Sequence, residues 1–515
     1  MIHQFHLIKG AYDAVVSGKK DIEVRLKGTK KMRRGDYILF KEYHGTRRVC
    51  VRVREVVEYE NISALRQSVR EERWRFYPKE DFDTLVEREF ISGGRSEEAV
   101  LAIFFSLPAL SVIIPFFNAA RYFEFALASL AVQTFKDFEI IAVNDGSSDD
   151  SEAILERYSQ QLPVICERNT SNLGAAASRN CGLSLANGKY VLFLDSDDIF
   201  SPVLFERLVD AGEKYNADIS IAEYDDICGE TGYESNADIV FSDPLIKEMS
   251  RSLFSFDDIP ARMNYLINVP WNKLFRRAFL LSNGLRFQNL PSSNDVYFCN
   301  MAMMLGRLIH VCDESALVHY RVLSKDGISS RRNPFCEHKA HQYLFEQMRL
   351  RNIPVTQRVS DMYLYEIFRY LRNCSKDYHD EYFSFLKETF LHGNQLVSAD
   401  YIAEHHPCAV KLFENHASDY CAFKLKLEVI ETLSDRDAVL QKTTGCSRIG
   451  IYSFSVVSEY FRELYGNDFE SIVPIKNAND NCDCIISLSC LQSYHIKRYL
   501  AENWKEKIKL VELFL

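Results

Sequence analysis

The chain has 515 residues, 47% of them hydrophobic and 26% charged, with a formal net charge of −10. This length exceeds what a single hydrophobic core supports, so we expect three or four domains. The negative balance excludes a protein that binds nucleic acid over its whole surface. No apolar run reaches the ~18–20 residues that cross a bilayer, and the start lacks the apolar segment of a secretory signal. Fourteen cysteines without a framework pattern favour a reduced, cytosolic protein.

Residues 1–108 are predicted to form a separate β-rich domain. Strands are expected over Gly35–Phe40 and Arg47–Val57, and the segment from Lys19 to Arg54 holds thirteen Lys or Arg but only four Asp or Glu. Clustered positive charge on an acidic protein indicates a polyanion partner. The alternative is that the charge on the outer face of these strands serves only to keep the domain soluble.

The order of these elements resembles the ASCH family, whose fold is a PUA-like β-barrel. The matching segments are SGKKDIEVRL (Ser17–Leu26), MRRGDYILF (Met32–Phe40) and the closing strand AVLAIFFSL (Ala99–Leu107). The resemblance implies RNA or a nucleotide as the ligand of this domain. Some relatives hydrolyse acylated cytidines with a Lys and a nearby Thr. Here Lys20 is present but Glu23 stands in place of that Thr, so we assign no catalysis to the domain.

One stretch, KYVLFLDSDD at Lys189–Asp198, dominates the middle of the chain. Its apolar run is typical of a buried parallel strand, and three carboxylates follow within four positions. Ligands of open α/β sheets bind at the carboxyl ends of such strands. Acids that lie together without a basic residue repel one another unless they share a cation, and oxygen ligands favour Mg²⁺ or Mn²⁺. The alternative is a solvated acidic turn.

Residues 109–332 alternate between strand and helix patterns, which predicts a parallel sheet wound with helices. Strands are expected over Leu110–Asn118, at the start of Phe138–Ser151 and over Val164–Asn169, ahead of the acidic stretch. We expect Pro115 to end the first of them, because proline donates no ladder hydrogen bond.

These motifs resemble the family 2 glycosyltransferases, which have the GT-A fold. The matching segments, in order, are SVIIPFFNA, FEIIAVNDGSSDDS, NTSNLGAAASRNCGL, YVLFLDSDD, PWNKLFRRAFLLSNGLRF (Pro270–Phe287), SSNDVYF (Ser292–Phe298) and HYRV (His319–Val322). The resemblance implies an α/β enzyme that uses Mg²⁺ or Mn²⁺ and moves a sugar, with inversion, from a nucleotide-diphosphate donor, for which UDP is expected. The implied acceptor is a glycan or lipid-linked molecule in surface polysaccharide synthesis, with the enzyme in the cytoplasm or peripherally at the inner membrane face.

The resemblance also assigns a nucleotide-sugar site. Its residues here are Pro115, Asn118, Asp145, Asn172, Gly174, Arg179, Asp195, Ser196, Lys273 and Arg321. Asp145 would accept a hydrogen bond from the nucleobase, Asp195 would face the ribose, and Arg321 would hold phosphate through its guanidinium fork. Lys273 would line the sugar or acceptor side. As alternatives, Asp145 is a turn residue and Arg179 makes a structural ion pair.

The same resemblance assigns the metal ligands and the base. Asp197 would ligate the cation, His319 would complete its shell or else be structural, and Asp198 would support the ligands or cap a helix. Asp295 is the candidate general base for the acceptor hydroxyl. Many relatives have Glu-Asp at this place, whereas Asn294 precedes the Asp here, which removes a like charge that would raise its pKa. The alternative for Asp295 is a helix N-terminal Asp.

The remainder of the chain is predicted in two parts. Residues 333–440 carry apolar residues at helical spacing, and we expect a helical region that packs on the transferase or on a second copy of the chain. Residues 447–515 are interpreted as a small Rossmann-like α/β domain. Ser453, Ser455 and Ser458 stand where a dinucleotide-binding turn has glycines, so we expect no NAD binding and a structural or protein-binding role.

A second interpretation belongs to another class of protein. The basic N-terminal domain would bind RNA or a nucleotide in a regulatory role, and the transferase fold would be an inactive scaffold. The site carboxylates are all present, which favours the enzyme. The two interpretations are separable, because nucleic-acid binding weakens steeply with salt, whereas donor binding depends on the divalent cation.

Overall fold

The computed structural model describes most of the chain up to residue 406 and isolated segments beyond it. The described residues are 1–7, 9–28, 31–69, 94–95, 97–228, 234–235, 249–259, 268–311, 316–321, 333–373, 378–406, 410, 413, 448–452, 471–474, 484–487 and 509–512. They fall into two compact units, Met1–Leu323 and Ser324–Leu515, which are described separately. None of the helices in these segments is both long and apolar enough to cross a membrane.

The first unit begins with a small mixed domain. Its elements are β1 (Ile2–Leu7), α1 (Lys9–Val16), β2 (Ile22–Leu26), β3 (Tyr37–Glu42), β4 (Arg48–Tyr59), α2 (Ile62–Ser68) and β5 (Val100–Ser106). The strands form one sheet in the order β1-β3-β4-β5-β2, in which only the pair β1 and β3 is parallel. Inward side chains such as Phe40, Val51 and Phe105 make its buried core. The predicted strands are confirmed with small shifts at their ends.

A larger α/β domain follows in the same unit. Its elements are β6 (Leu110–Phe116), α3 (Ala120–Ala131), β7 (Phe138–Asn144), α4 (Ser151–Tyr158), β8 (Val164–Arg168), α5 (Ala175–Leu185), β9 (Tyr190–Phe193), β10 (Ile199–Phe200), α6 (Leu204–Tyr215), β11 (Ile219–Ala222), β12 (Tyr224–Cys228), β13 (Glu234–Ser235), a 3₁₀ turn (Phe256–Asp258), β14 (Lys273–Arg276), α7 (Arg277–Ser282), α8 (Val296–Leu305), β15 (Leu308–Val311) and β16 (Val318–Arg321). The alternation of strand and helix confirms the predicted α/β class.

Two sheets organise this domain. The large sheet has the order β15-β11-β14-β9-β6-β7-β8, and only β14 runs against the other strands. β6 and β7 are buried along their whole length, as expected for central parallel strands. The small sheet has the order β10-β16-β12-β13. It pairs Ile199 of β10 with His319 of β16, which places β16 beside the end of the acidic turn.

Pro115 does not end β6, contrary to the sequence prediction. The strand continues to Phe116, and Pro115 pairs in register with Val143 of β7. Alternate residues of a parallel strand bond to opposite neighbours, so the position of Pro115 faces β9. Pairing on that side already ends at Ile113, whose carbonyl accepts from Leu194. The next donor on that side would be the N–H of residue 115, which proline lacks, so pairing with β9 stops here while pairing with β7 continues.

The N-terminal sheet packs against the large sheet at its edge strand β8. The shared buried cluster consists of Tyr37, Leu39, Cys50 and Ile165. At its margin Arg54 pairs with Asp137 at 2.5 Å, and Nη1 of Arg48 donates to the carbonyl of Cys166 at 3.2 Å. Apolar and charged contacts thus join the two domains within one compact unit. The boundary at residue 108 and the other predicted domain limits remain predictions.

Glu139 of β7 is the buried polar centre of this junction. Its Oε1 accepts from Oγ of Ser111 at 2.6 Å and from the backbone N–H of Asn187 at 3.0 Å. Burial raises the pKa of Glu139 to about 7, although Ser111, Asn187, the charge of Arg277 and the backbone amide of Cys50 favour its charged form. Because Cys50 belongs to the N-terminal sheet, one carboxyl group interacts with both domains.

The second unit starts with helices and ends with strands. Its elements are α9 (Phe335–Leu350), α10 (Gln357–Asn373), α11 (His379–His392), α12 (Ala399–His405), β17 (Arg448–Tyr452), β18 (Ser471–Pro474), β19 (Cys484–Ser487) and β20 (Lys509–Glu512). The four strands are all parallel, in the order β18-β17-β19-β20. A helical region and a small parallel sheet therefore occur where they were predicted. The turn that contains Ser453, Ser455 and Ser458 lies outside the described residues.

Removal of residues 1–108 is expected to destabilise the rest of the first unit. The cut would expose Ile165 and would open the Glu139 carboxyl to water without the amide of Cys50. Loss of a small buried cluster costs roughly 1–3 kcal/mol, so a chain of residues 109–515 should melt roughly 2–8 °C below the full chain in a circular dichroism scan. Equal melting temperatures would contradict this expectation.

Candidate active site

The residues predicted for the nucleotide sugar gather at one edge of the large sheet. β6, β7, β8 and β9 run parallel, so their carboxyl ends meet there. Asn118 follows β6, Asp145 follows β7, and Asn172 and Gly174 follow β8. Asp195 begins the acidic turn just after β9. The topology thus brings together side chains that are far apart in the sequence.

Asp145 is buried and fixes the loop that follows β8. Its Oδ1 accepts from Nδ2 of Asn169 at 2.7 Å and from the backbone N–H of Leu173 at 3.0 Å. Its Oδ2 accepts from the backbone N–H of Gly174 at 2.8 Å. A carboxylate oxygen can accept two hydrogen bonds, so Oδ2 retains capacity for a ligand N–H. The nucleobase role of Asp145 remains a prediction.

Two glycines shape the same loop. Gly174 has φ of +91° and precedes α5, while its N–H also meets Oδ1 of Asn172 at 3.1 Å. Gly146 has φ of +82°, and a Cβ there would lie 3.0 Å from the backbone carbon of Ser171. A side chain at Gly146 would therefore push the loop away from Asp145. Gly146 is not among the residues predicted from the sequence, although an Asp-Gly pair directly after a strand is a usable signal.

Asn118 ties the loop after β6 to the loop after β7. Its backbone has φ of 47°, a left-handed conformation that Asn tolerates better than most residues. Its N–H donates to Oγ of Ser147 at 3.1 Å, and its Oδ1 accepts from the N–H of Ser148 at 2.9 Å. Pro115 lies buried within β6, so it supports this edge of the sheet from inside.

Arg179 connects the acidic turn to the segment that carries the candidate base. Nη2 donates to Oδ1 of Asp195 at 2.6 Å, and Nη1 donates to Oδ1 of Asn294 at 3.3 Å. The guanidinium lies 5.4 Å from the ring centre of Phe287. Burial disfavours its charge, but Asp195 and Asp295 together raise the pKa of Arg179 above its usual value. The ion pair that the sequence left as an alternative is therefore present.

The negative charge of the acidic turn exceeds the positive charge of the groups around it. Burial and then the charge of Asp195 raise the pKa of Asp197 to about 6. Asp198 is fully buried, and burial together with Asp197 and Asp195 raises its pKa well above the ordinary range. Its Oδ1 accepts from the N–H of Arg321 at 2.8 Å, so it does not cap a helix. Ser196 lies half-buried between these acids.

Arg321 and His319 approach this turn from β16. Nε of Arg321 donates to the carbonyl of Asp197 at 2.9 Å, and its guanidinium lies 4.5 Å from the ring centre of Tyr122. Nδ1 of His319 lies 2.7 Å from Oδ1 of Asp225, and the imidazole is about one-third exposed. The Asp225 contact fixes the ring and directs Nε2 away from that carboxylate.

The turn has the donor chemistry that a hard cation requires. Within the described ranges, no three His, Cys, Asp or Glu side chains converge as a complete metal site. However, Oδ2 of Asp198 is buried and has no hydrogen-bond partner in the described part of the chain. A divalent ion would offset the repulsion between the acids, and oxygen donors suit Mg²⁺ or Mn²⁺. Asp197 and His319 remain the predicted ligands.

Asp295 immediately precedes α8, and its carbonyl accepts from the N–H of Cys299 at 2.8 Å. Its side chain makes no capping hydrogen bond to that helix, so a simple capping role does not account for it. Lys273, predicted to line the sugar or acceptor side, is fully buried. Its Nζ donates to the carbonyl of Val269 at 2.6 Å and to Oδ1 of Asn272 at 2.8 Å.

Four phenylalanines join the strand of the acidic turn to the helix of the candidate base. They are Phe193 of β9, Phe275 of β14, Phe287 and Phe298 of α8. Phe193 lies edge-on to the other three at centroid distances of 4.9–6.0 Å, and Phe287 stacks on Phe298 at 4.0 Å. Such packing limits relative movement of these elements. No pattern in the sequence indicates that these rings meet.

Comparison with known families agrees with this architecture. Residues 111–282 match glycosyl transferase family 2, and residues 7–99 match the ASCH domain. The chain therefore carries a family 2 glycosyltransferase domain preceded by an ASCH domain. Both resemblances inferred from the sequence are confirmed.

Individual relatives cover only part of the chain. Cholesterol galactosyltransferase of Borreliella burgdorferi is 32% identical over 39% of this chain and 57% of the relative. The putative glycosyltransferase EpsH of Bacillus subtilis is 30% identical over 42% of this chain and 61% of the relative. The chain thus spans little more than half the length of these relatives. The solved structure of S. aureus TarS 1–349 in complex with UDP-GlcNAc superposes with a TM-score of 0.49 at 19% identity, over 64% of this chain and 92% of that one.

Replacement of Asp145 by Asn is expected to destabilise the domain. An amide that keeps its oxygen toward Asn169 and Leu173 would turn its NH₂ toward the N–H of Gly174, so two donors would face each other in a buried place. We expect a loss of roughly 1–3 kcal/mol in urea unfolding. Asp150→Asn is the control, because Asp150 is exposed and makes no capping bond. A loss no larger than that of the control would contradict the assigned network.

Proposed function

We propose that this protein transfers a sugar from a nucleotide-diphosphate donor, with UDP as the expected nucleotide, to a glycan or lipid-linked acceptor. The observation that carries the proposal is the convergence at one sheet edge of Asp145 and the acidic turn from Asp195 to Asp198, together with Arg179, which pairs with Asp195 and interacts with the charge of Asp295. Membership of the domain in glycosyl transferase family 2 supports the reaction class. A role in surface polysaccharide synthesis at the inner membrane face follows the same proposal.

On this proposal, the loops after β6 to β9 hold the donor. Asp145 accepts a hydrogen bond from the nucleobase, and Asp195, kept in place by Arg179, faces the ribose. Asp197 with His319 would hold Mg²⁺ or Mn²⁺, which when bound supplies positive charge to the diphosphate leaving group. Arg321, already anchored to the acidic turn, adds a guanidinium close to the same region.

Asp295 acts as the general base for the acceptor. The acceptor oxygen forms a bond to the anomeric carbon, the bond from that carbon to the phosphate oxygen breaks, and Asp295 takes the proton of the hydroxyl. One in-line displacement inverts the anomeric configuration and needs no covalent nucleophile. Two observations support this role for Asp295. It lies directly before α8, and its charge interacts with that of Arg179.

A panel of nucleotide sugars with Mn²⁺, with and without EDTA, tests the proposal by release of nucleoside diphosphate. Asp295→Asn should lower transfer by roughly 10²–10⁴-fold with donor affinity in calorimetry nearly unchanged. Asp197→Ala should remove the dependence of donor binding on Mn²⁺. Asp150→Ala, an exposed Asp on the same domain, is the control for both variants. The proposed function would be refuted if no nucleotide sugar in the panel bound to the protein and none released nucleoside diphosphate.

A second candidate function is polyanion binding by the ASCH domain. A pocket of about 690 Å³ is lined by Met32, Arg33, Arg34, Arg54, Glu55, Val56 and Phe104. In the part of the chain that is described, the exposed guanidinium groups of Arg33 and Arg34 have no carboxylate partner. Arginine beside apolar and aromatic side chains suits a phosphate-bearing ligand with a flat base. This observation favours RNA or a nucleotide as the ligand, in a role that regulates transfer.

Fluorescence anisotropy with a single-stranded RNA oligonucleotide tests this second function. Arg33→Ala combined with Arg34→Ala should weaken binding, and the slope of log affinity against log salt should fall by about 1.4, roughly 0.7 for each lost phosphate contact on a single strand. Arg157→Ala, which removes an exposed arginine from α4, is the matched control. RNA affinity that is unmeasurable at low salt, or equal in the double variant and the control, would contradict an RNA site in this pocket.

A further inference from the structure

The carboxylate of Asp225 contacts the imidazole of His319, the predicted metal ligand on β16. Oδ1 of Asp225 lies 2.7 Å from Nδ1 of His319. The two residues are register partners on the parallel strands β12 and β16, so their side chains share one face of the small sheet. The Asp225 side chain is only 5% exposed, whereas that of His319 is 30% exposed. A buried acid thus holds one nitrogen of a ring that remains partly accessible.

The face of β16 that carries His319 also meets the acidic turn. Arg321 lies two positions after His319, and alternate residues of a strand share a face. Nε of Arg321 donates to the carbonyl of Asp197 at 2.9 Å, and its backbone N–H donates to Oδ1 of Asp198 at 2.8 Å. Ile199, the residue after Asp198, is the register partner of His319 on the other side. His319 therefore lies beside the turn that carries the other predicted cation ligand.

Aromatic packing on the opposite face fixes the strands that carry this pair. Trp271 is buried, stacks on Tyr320 at a centroid distance of 5.0 Å, and meets Tyr224 edge-on at 4.7 Å. Tyr224 belongs to β12 and Tyr320 to β16, so one indole ring holds both strands. With the strands fixed, the imidazole of His319 retains only the rotation of its own side chain. The hydrogen bond to Asp225 limits that rotation.

We propose that Asp225 is a positioning residue that keeps the proton of His319 on Nδ1 and leaves the lone pair of Nε2 for a divalent cation. The inference rests on the proposed function, in which Asp197 and His319 hold Mg²⁺ or Mn²⁺. An ionised carboxylate only accepts hydrogen bonds, so the ring nitrogen beside it is the one that carries the proton. Histidines that bind metals commonly donate their second N–H to a carboxylate, and this contact fixes both the tautomer and the direction of the ring.

Calorimetric titration of Mn²⁺ into the full chain, without and with UDP, tests this role. Asp225→Asn keeps the size of the side chain and removes the carboxylate, so it should weaken Mn²⁺ binding roughly 10–100-fold. Asp226→Asn is the matched control, because it removes the same charge from the next position of β12, whose side chain lies on the opposite face. The control should bind Mn²⁺ as the unaltered protein does.

A purely structural role of the pair predicts a different result. Asp225→Asn would then lower the melting temperature, while its affinity for Mn²⁺ stayed equal to that of Asp226→Asn. That result would overturn the inference, and so would an unaltered protein that binds no Mn²⁺, even if it transfers sugar. Conversely, Mn²⁺ binding that depends on Asp225 in a protein that releases no nucleoside diphosphate from any nucleotide sugar would contradict the proposed transfer alone.

The tautomer of His319 is measurable without altering Asp225. In protein labelled with ¹⁵N-histidine, the ring signals of His319 are assigned by their absence in His319→Gln. At about pH 8, where ordinary histidine is neutral, we expect the proton on Nδ1 and none on Nε2. A proton on Nε2, alone or together with one on Nδ1, would overturn the inference. Because this measurement uses the unaltered pair, it decides the question even if Asp225→Asn does not fold.

Discussion

A single buried guanidinium, that of Arg179, joins the two halves of the candidate site. It contacts Asp195 after β9 and Asn294 before α8, and its charge interacts with Asp295. The phenylalanine cluster holds the same two elements together through apolar contacts. The acidic turn and Asp295 therefore keep a fixed relation, because an ion pair sheltered from water is screened less than one on the surface. The surrounding loops are organised around this relation.

Much of the site could be predicted because the motifs fall at strand ends. In a parallel sheet those ends share one edge, so Asn118, Asp145 and Asp195 had to lie near one another. Contacts between distant segments could not be predicted in this way, and Arg179 with Asn294 is an example at a separation of 115 positions. Lys273 shows the opposite failure, because lysine normally faces water and only the packing of β14 reveals its burial.

In the N-terminal domain, part of the positive charge has a structural role that counting charges does not reveal. The basic segment predicted a polyanion surface, yet Arg54 pairs with Asp137 and Arg48 donates to the carbonyl of Cys166 in the transferase domain. Part of the positive charge therefore serves the junction between domains. The strands themselves were predictable from their β-branched and aromatic residues. The face that packs against the second domain was not, because the sequence is equally compatible with Tyr37 and Leu39 packing inside the N-terminal domain.

The buried carboxyl group of Glu139 limits how freely these two domains can be recombined. Glu139 lies six residues before Asp145 on the continuous strand β7 and its following turn, a separation of roughly 20 Å at strand spacing. It accepts hydrogen bonds from Ser111 and Asn187, and the backbone amide of Cys50 favours its charged form. A transferase domain fused to a different N-terminal partner would bury the same acid without that amide. An engineered exchange of the N-terminal domain is therefore expected to be better tolerated when position 139 is changed as well.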